Sequence, residues 1–184
     1  KVSEALNDAF GLPVSRSGWC QADQRLAETA LPVYEELLEV IRRSMVVHAD
    51  ETGWRIGILP AWLWVFTNKE VTVYVIRDNR SSDVVIEILG KQFKGILVSD
   101  CFVAYDDKRL TDWLKQKCFS HLLKDLKAME ASKTGRAVRF AQQLTAVLRA
   151  ALALKKEKPN LDPATFAQRA QDLETQLDTL ISMH

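Results

Sequence analysis

Ala61-Trp62-Leu63-Trp64-Val65-Phe66 and, after a short polar break, Val71-Thr72-Val73-Tyr74-Val75-Ile76 decide the fold class of this chain. Both runs are aromatic or β-branched, too short for a helix of ordinary length, and bounded by turn residues (Gly57, Pro60, Asn68 and Lys69). They read as consecutive strands. Met45–His48 is a third apolar run that leads into Asp50. Three strands with short links predict an antiparallel meander.

Working outward, Ser81 or Ser82 caps a predicted helix over Asp83–Leu89, stopped near Gly90. Gly95-Ile96-Leu97-Val98-Ser99 is a continuous apolar strand ending at Asp100, which suits a buried, parallel place in a sheet. Helical signal returns at Asp107–Leu114, Lys117–Ser120 reads as a short fifth strand, and His121–Met129 as a helix. Upstream, residues 17–30 are helical with Ser15 or Ser17 as cap. Pro32 breaks that helix and opens another to Arg43, whose stripe is Val33, Leu37, Leu38 and Ile41. Downstream, Ala137–Leu154 places Val138, Ala141, Leu144, Val147, Leu148, Ala151 and Leu152 on one face. Asp162-Pro163 starts a last helix with Phe166, Ala170, Leu173, Leu177 and Leu180 in register; this stripe packs on Ala137–Leu154 or serves self-association.

Helices, three antiparallel strands, then helix, strand, helix, strand is the order of a ribonuclease-H-like α/β fold with a mixed sheet. The expected division is an N-terminal helical segment over 1–44, a core over 45–130 and an all-helical insertion over 131–184. In such a sheet an aspartate on the first strand lies beside an acid at the end of the fourth. Asp50 and Asp100 fall at those places.

The chain has 184 residues, 47% of them apolar, enough for a sizeable core. No apolar run reaches the ~18–20 residues of a membrane span. The start has no signal-peptide layout and position 1 is Lys, as in a fragment or a processed product. Cys20, Cys101 and Cys118 form no CxxC pair and read as reduced thiols of a cytoplasmic protein. The formal charge of +1 hides an asymmetry: residues 108–158 carry 13 basic and 4 acidic side chains, while the stretches on either side are net acidic. That block is the one footprint for a polyanion. Lys124, Lys127, Lys133, Arg136 and Arg139 are its candidate phosphate contacts, with a solvated helix face as the plain alternative.

His48-Ala49-Asp50-Glu51-Thr52-Gly53-Trp54 followed by Trp62–Phe66 resembles the catalytic core of the insertion sequence 66 family of DDE transposases. Gly95–Asp100 with Ala104-Tyr105 resembles the family's second aspartate motif, and Lys117-Cys118-Phe119-Ser120-His121 through Leu126 its cysteine–histidine segment. The resemblance implies metal-dependent phosphodiester hydrolysis and strand transfer on a bacterial mobile element's own DNA ends. It implies two divalent ions, Mg2+ or Mn2+, held by Asp50 and Asp100 as catalytic and metal-binding residues, with His48, Glu51 and His121 in supporting places. DNA ends and target are the implied partners, with a homo-oligomer and no membrane.

Glu51 follows Asp50 and points to the other face of a strand, whereas His48 shares the Asp50 face, either as a packed, hydrogen-bonded histidine or as a contact to the scissile strand. Cys118 and His121 have CxxH spacing but lack the two further ligands of a structural zinc site. Trp54, Trp62 and Trp64 read as sheet and core residues, with stacking on a flipped base as the alternative. The family pattern also needs a glutamate in an Asn-Asn-x-x-Glu-Arg-like segment. No Asn-Asn pair occurs, and Glu130, Glu157 and Glu174 lack that context. The expectation is therefore an internal piece of a longer transposase, inactive by itself. The rivals are a non-catalytic remnant or helical interaction module, and a ribonuclease-H-like nuclease.

Overall fold

The computed structural model describes residues 2–183, which form six α-helices and a five-stranded mixed sheet of order β3-β2-β1-β4-β5. The strands are β1 (Val46–Ile56), β2 (Leu59–Thr67), β3 (Thr72–Arg77), β4 (Ile96–Ser99) and β5 (Leu114–Lys117). The helices are α1 (Val2–Phe10), α2 (Arg16–Arg42), α3 (Ser82–Leu89), α4 (Phe119–Ser132), α5 (Arg136–Glu157) and α6 (Pro163–Ser182). The chain divides into two compact units. One runs to Leu97 and includes Ala104–Lys115; the other holds Val98–Val103 and the chain from Gln116 onward.

In the first unit, β1, β2 and β3 form the expected antiparallel meander, with Asp50 opposite Val65 and Trp64 opposite Val75. Alternation sorts the side chains. Val47, Ala49, Trp64, Phe66, Val73 and Val75 share one face and are buried. His48, Asp50 and Thr52 share the other and are exposed. Helices α2 and α3 contact each other, and α2 contacts β3. Arg42 joins the two helices: its guanidinium donates to the Ile88 carbonyl at 2.8 Å and the Glu87 carbonyl at 3.2 Å, taking up acceptors that the end of α3 leaves open. Gly95 permits the chain to enter β4. A Cβ there would meet the Ser44 carbonyl oxygen at 2.3 Å, and Ile96 then donates to the Met45 carbonyl at 2.8 Å.

Four expectations need correction. Pro32 does not split the N-terminal helices: α2 is continuous over 27 residues from its Ser15 cap, with Pro32 inside. The carbonyl that Pro32 deprives of a donor belongs to Glu28, on an exposed stretch where water can satisfy it. Val33 is exposed, and the inward stripe is Tyr34, Leu37, Leu38 and Ile41. Asp107–Leu114 is not an α-helix. Short 3-10 turns at Val103–Asp106 and Lys108–Leu110 stand there, because the Asp107 side chain takes the Arg109 amide at 2.8 Å. Trp113 then folds onto Phe93, ring centroids 5.3 Å apart. The fifth strand lies at Leu114–Lys117 rather than Lys117–Ser120, and Phe119 already begins α4. It is the sheet's edge, where lysines discourage further pairing and the apolar signal of a strand is weak.

In the second unit, α4 contacts α5 and α5 contacts α6. Leu126, Ala141 and Leu148 form a core that Phe119, Leu122, Leu123, Met129 and Leu144 surround. All seven expected inward residues of α5 are buried or half-buried. Asp162 caps α6 by accepting from the Thr165 amide at 3.0 Å, and the stripe from Phe166 to Leu177 is half-buried.

Candidate active site

β1 is an eleven-residue strand that carries a carboxylate toward each side of the sheet. Asp50 is on the exposed face, two residues from His48, which is also exposed; its Oδ1 accepts from the Glu51 amide at 2.9 Å. Glu51 is on the buried face, and its side chain is 0% exposed. Arg80 donates to Glu51 Oε1 from Nε at 2.8 Å and approaches it from Nη2 at 2.6 Å. The Tyr105 hydroxyl donates to Glu51 Oε2. Tyr105, fully buried, meets Trp64 edge-on at 6.2 Å, and the Arg80 guanidinium lies 4.7 Å above the Trp62 ring. Both carboxylate oxygens of Glu51 are thus committed to protein partners. Glu51 anchors β1 from beneath, and Asp50 is the carboxylate that β1 presents outward.

Asp100 follows directly after β4, in the second unit. It is half-buried, and its Oδ1 accepts from the Phe102 amide at 2.9 Å. Lys117 Nζ lies 3.2 Å from the Asp100 carbonyl oxygen, a cation beside Asp100 that sequence reasoning missed because the strand ending at Lys117 was misplaced. Next to it, the Cys118 amide donates to the Ser99 carbonyl at 2.6 Å and the Cys118 carbonyl receives the Leu122 amide, the first turn of α4. Burial raises the Cys118 thiol. Hydrogen bonds from the His121 backbone and side chain and the Ser120 amide outweigh that, so it sits below the ordinary thiol value. His121 is therefore a half-buried partner of Cys118.

Lys124 and Lys127 are exposed on α4; Lys133 ends it, and Arg136 and Arg139 lie on the first turn of α5, all exposed. Sequence reasoning also missed Arg80 as the partner of Glu51. Its signal was weak: one basic residue in the polar turn Asp78-Asn79-Arg80-Ser81. Tyr105 lay in a quoted motif, but its buried partner could not be read.

Asp50 and Asp100 each offer oxygen donors only, the kind that a hard divalent cation such as magnesium or manganese takes. Among the described residues, no group of three or more His, Cys, Asp or Glu side chains stands together as a metal site.

The family described as "Transposase IS66 family" matches residues 1–183. The chain belongs to the IS66 family of transposases. No curated protein matches it. Among solved structures, the simian T-cell lymphotropic virus intasome in complex with PP2A regulatory subunit B56 gamma is 12% identical over 52% of this chain and 46% of its own, with a TM-score of 0.34. The HTLV-2 integrase catalytic core domain in complex with magnesium is 13% identical in its dimeric form, over 52% of this chain and 81% of its own, at a TM-score of 0.34. Its trimeric form is 10% identical, over 54% and 81%, at 0.35. The match to the IS66 family chain therefore spans less than half of the intasome chain. No helix among the described residues of this IS66 family chain is long and apolar enough to cross a membrane.

Proposed function

We propose that this chain carries part of the catalytic core of a DNA transposase and that Asp50 and Asp100 hold its divalent metal. One observation supports this reading above the others. Of two adjacent carboxylates on β1, the protein consumes Glu51 in a buried network and presents Asp50 on the open face, and β4, which leads into Asp100, is β1's neighbour in strand order. When bound, Mg2+ or Mn2+ would activate a nucleophile and stabilise the leaving oxygen of a phosphodiester. The chain's own residues supply two hard carboxylates and, beyond them, the exposed cations Lys124, Lys127, Lys133, Arg136 and Arg139 for phosphate contacts. His48, on the Asp50 face, is placed to meet the substrate strand. His121 orients the first turn of α4 through Cys118. Residues 1–44 serve as a helical segment, 45–130 as the core and 131–184 as a helical insertion. The proposed partners are the DNA ends of the mobile element and its target, engaged by a homo-oligomer in the cytoplasm.

Manganese titration followed by electron paramagnetic resonance tests this. The chain should bind Mn2+ weakly, because two carboxylates make an undercharged site. Asp50→Asn and Asp100→Asn should each reduce binding about tenfold or more, while folding is retained. Equal binding by all three proteins would remove the site and favour a non-catalytic remnant.

A further inference from the structure

The two edges of the sheet are built differently. β5 carries Lys115 and Lys117, whereas β3 reads Thr72-Val73-Tyr74-Val75-Ile76-Arg77, with no lysine, no proline and an unbroken register on β2. An edge without protective devices is open to another strand. Asn68 donates to the Val71 carbonyl at 3.0 Å, and bonded positions alternate from there, so Val73, Val75 and Arg77 bond β2. Thr72, Tyr74 and Ile76 turn their backbone groups outward. The Ile76 carbonyl accepts from Arg77 Nη1 at 2.8 Å. Among the described residues, no backbone hydrogen bond outside the strand pairing reaches Thr72 or Tyr74.

The same side of the first unit carries an apolar stripe on α2. Leu26, Val33 and Val40 are 67%, 58% and 39% exposed. At about 100° per residue, Val33 and Val40 lie on the opposite side of α2 from Arg42, whose side chain bonds the end of α3. α2 contacts β3 and α3, and α3 carries the chain back from β3 to β4. The stripe therefore faces out past the β3 edge. α2 and β3 run antiparallel. Arg77, at the end of β3, acts on the Tyr34 hydroxyl, while Asn68, before β3, donates to Ser44 Oγ, just past α2, at 2.7 Å. Val33 and Val40 thus lie on either side of the level of Tyr74.

We propose that this edge is where two copies of the chain join: β3 pairs antiparallel with the partner's β3 about a two-fold axis at Tyr74, and α2 lies beside the partner's α2. Thr72 then stands opposite the partner's Ile76 on the exposed face, and Val73 opposite the partner's Val75 on the buried one. The same axis sets Val33 against the partner's Val40, so one operation satisfies strand and helix together. An unrelated strand would satisfy only the first. Charge agrees with this occupant. Antiparallel pairing brings Lys69-Glu70 of one copy to Arg77-Asp78 of the other, Lys69 beside the partner's Asp78 and Glu70 beside the partner's Arg77. The strip is about 20 Å long and two layers of about 10 Å deep. The pair therefore buries roughly 800 Å², below the ~1,200 Å² of a standard interface, and the dimer is weak, with a Kd of about 1–100 µM. The inference deepens the homo-oligomer of the proposed function and makes no use of the metal site.

Sedimentation equilibrium of the chain over about 2–200 µM tests this. The wild-type chain should pass from monomer to dimer. Tyr74→Lys places two lysines face to face on the axis, and Val33→Glu charges the helix layer; each should raise the Kd about tenfold or more. Lys69→Asp should raise it about two- to tenfold, the range of two exposed ion pairs, and adding Asp78→Lys should restore it. Thermal melts under dilute, monomeric conditions separate misfolding from lost pairing, and Val33→Glu, on an exposed helix face, leaves the strand untouched. A chain that stays monomeric at the highest concentration would overturn the interface. So would a dimer that ignores Tyr74→Lys or Val33→Glu, or one broken instead by Ile58→Glu at the exposed hairpin tip. None of these outcomes touches Mn2+ binding at Asp50 and Asp100, so the interface and the metal site fail separately.

Discussion

Asp50 and Glu51 are adjacent in the chain and chemically alike, and their surroundings have almost nothing in common. Glu51 points into the buried face, where Arg80, Tyr105 and the Trp62–Trp64 aromatics enclose it. Asp50 points out with His48, Thr52 and Trp54. A buried carboxylate is tolerated only when its hydrogen-bonding capacity is filled. One face of the sheet is therefore built for stability, with the buried Glu51 charge matched. The other exposes the Asp50 carboxylate. A one-residue slip of β1 would exchange the two roles, so the register that pairs Asp50 with Val65 and Glu51 with Trp64 fixes both together.

That contrast can be broken first on the buried side. Trp64→Ala removes a fully enclosed ring that stacks on Phe66 and meets Tyr105, and should cost about 3–5 kcal/mol in urea denaturation. A loss below ~1 kcal/mol would mean that this face is not the core. Glu51→Gln keeps the shape and removes the charge, leaving Arg80 and the Tyr105 hydroxyl poorly matched. The expected cost is about 3 kcal/mol, at the low end for a broken buried pair because Arg80 is 32% exposed. Asp50→Asn on the open face should change stability by no more than ~0.5 kcal/mol. If Asp50→Asn destabilised as much as Glu51→Gln, the two faces would be equivalent and the assignment of Asp50 to chemistry would fail.

A smaller effect concerns acid. Arg109 donates to Asp107 at 3.1 Å and to Asp83 at 2.6 Å, and Ser82 donates to Asp107 at 2.6 Å. The Arg109 guanidinium, aided by Ser82 and the Arg109 amide, holds the Asp107 carboxyl well below the ordinary range. Arg109 and Ser81 lower that of Asp83. A carboxylate whose folded-state value is depressed contributes stability above its unfolded value, and that contribution is lost as pH falls through the folded one. Arg109→Leu should therefore lower the melting temperature at pH 7, and the gap to wild type should begin to narrow once the pH drops below about 4, the ordinary aspartate range, and go on narrowing as the pH falls toward the depressed folded-state values. A gap that persists unchanged into strong acid would assign it to packing instead.

Much of this arrangement was legible in the chain. Aromatic and β-branched runs between turn residues located the meander, the Ser81 and Asp162 caps located two helices, and alternation alone put His48 with Asp50 and Glu51 against them. The misreadings have local causes. Pro32 is tolerated because the carbonyl it strands faces water, and β5 is polar because an edge strand with lysines resists pairing. Helical signal at Asp107–Leu114 gave way to side-chain bonds from Asp107 and to the Phe93–Trp113 contact, whose partners lie up to 25 residues away.

By itself, the sequence determined the order of elements, the face each residue of β1 occupies and the family motifs around Asp50 and Asp100, because backbone periodicity and capping act over a few residues. Which carboxylate is consumed and which tryptophan stays open was decided by tertiary structure alone. Arg80 is 29 residues from Glu51, and Tyr105 is 54. Burial is set by what packs above a side chain, and no local pattern carries that information.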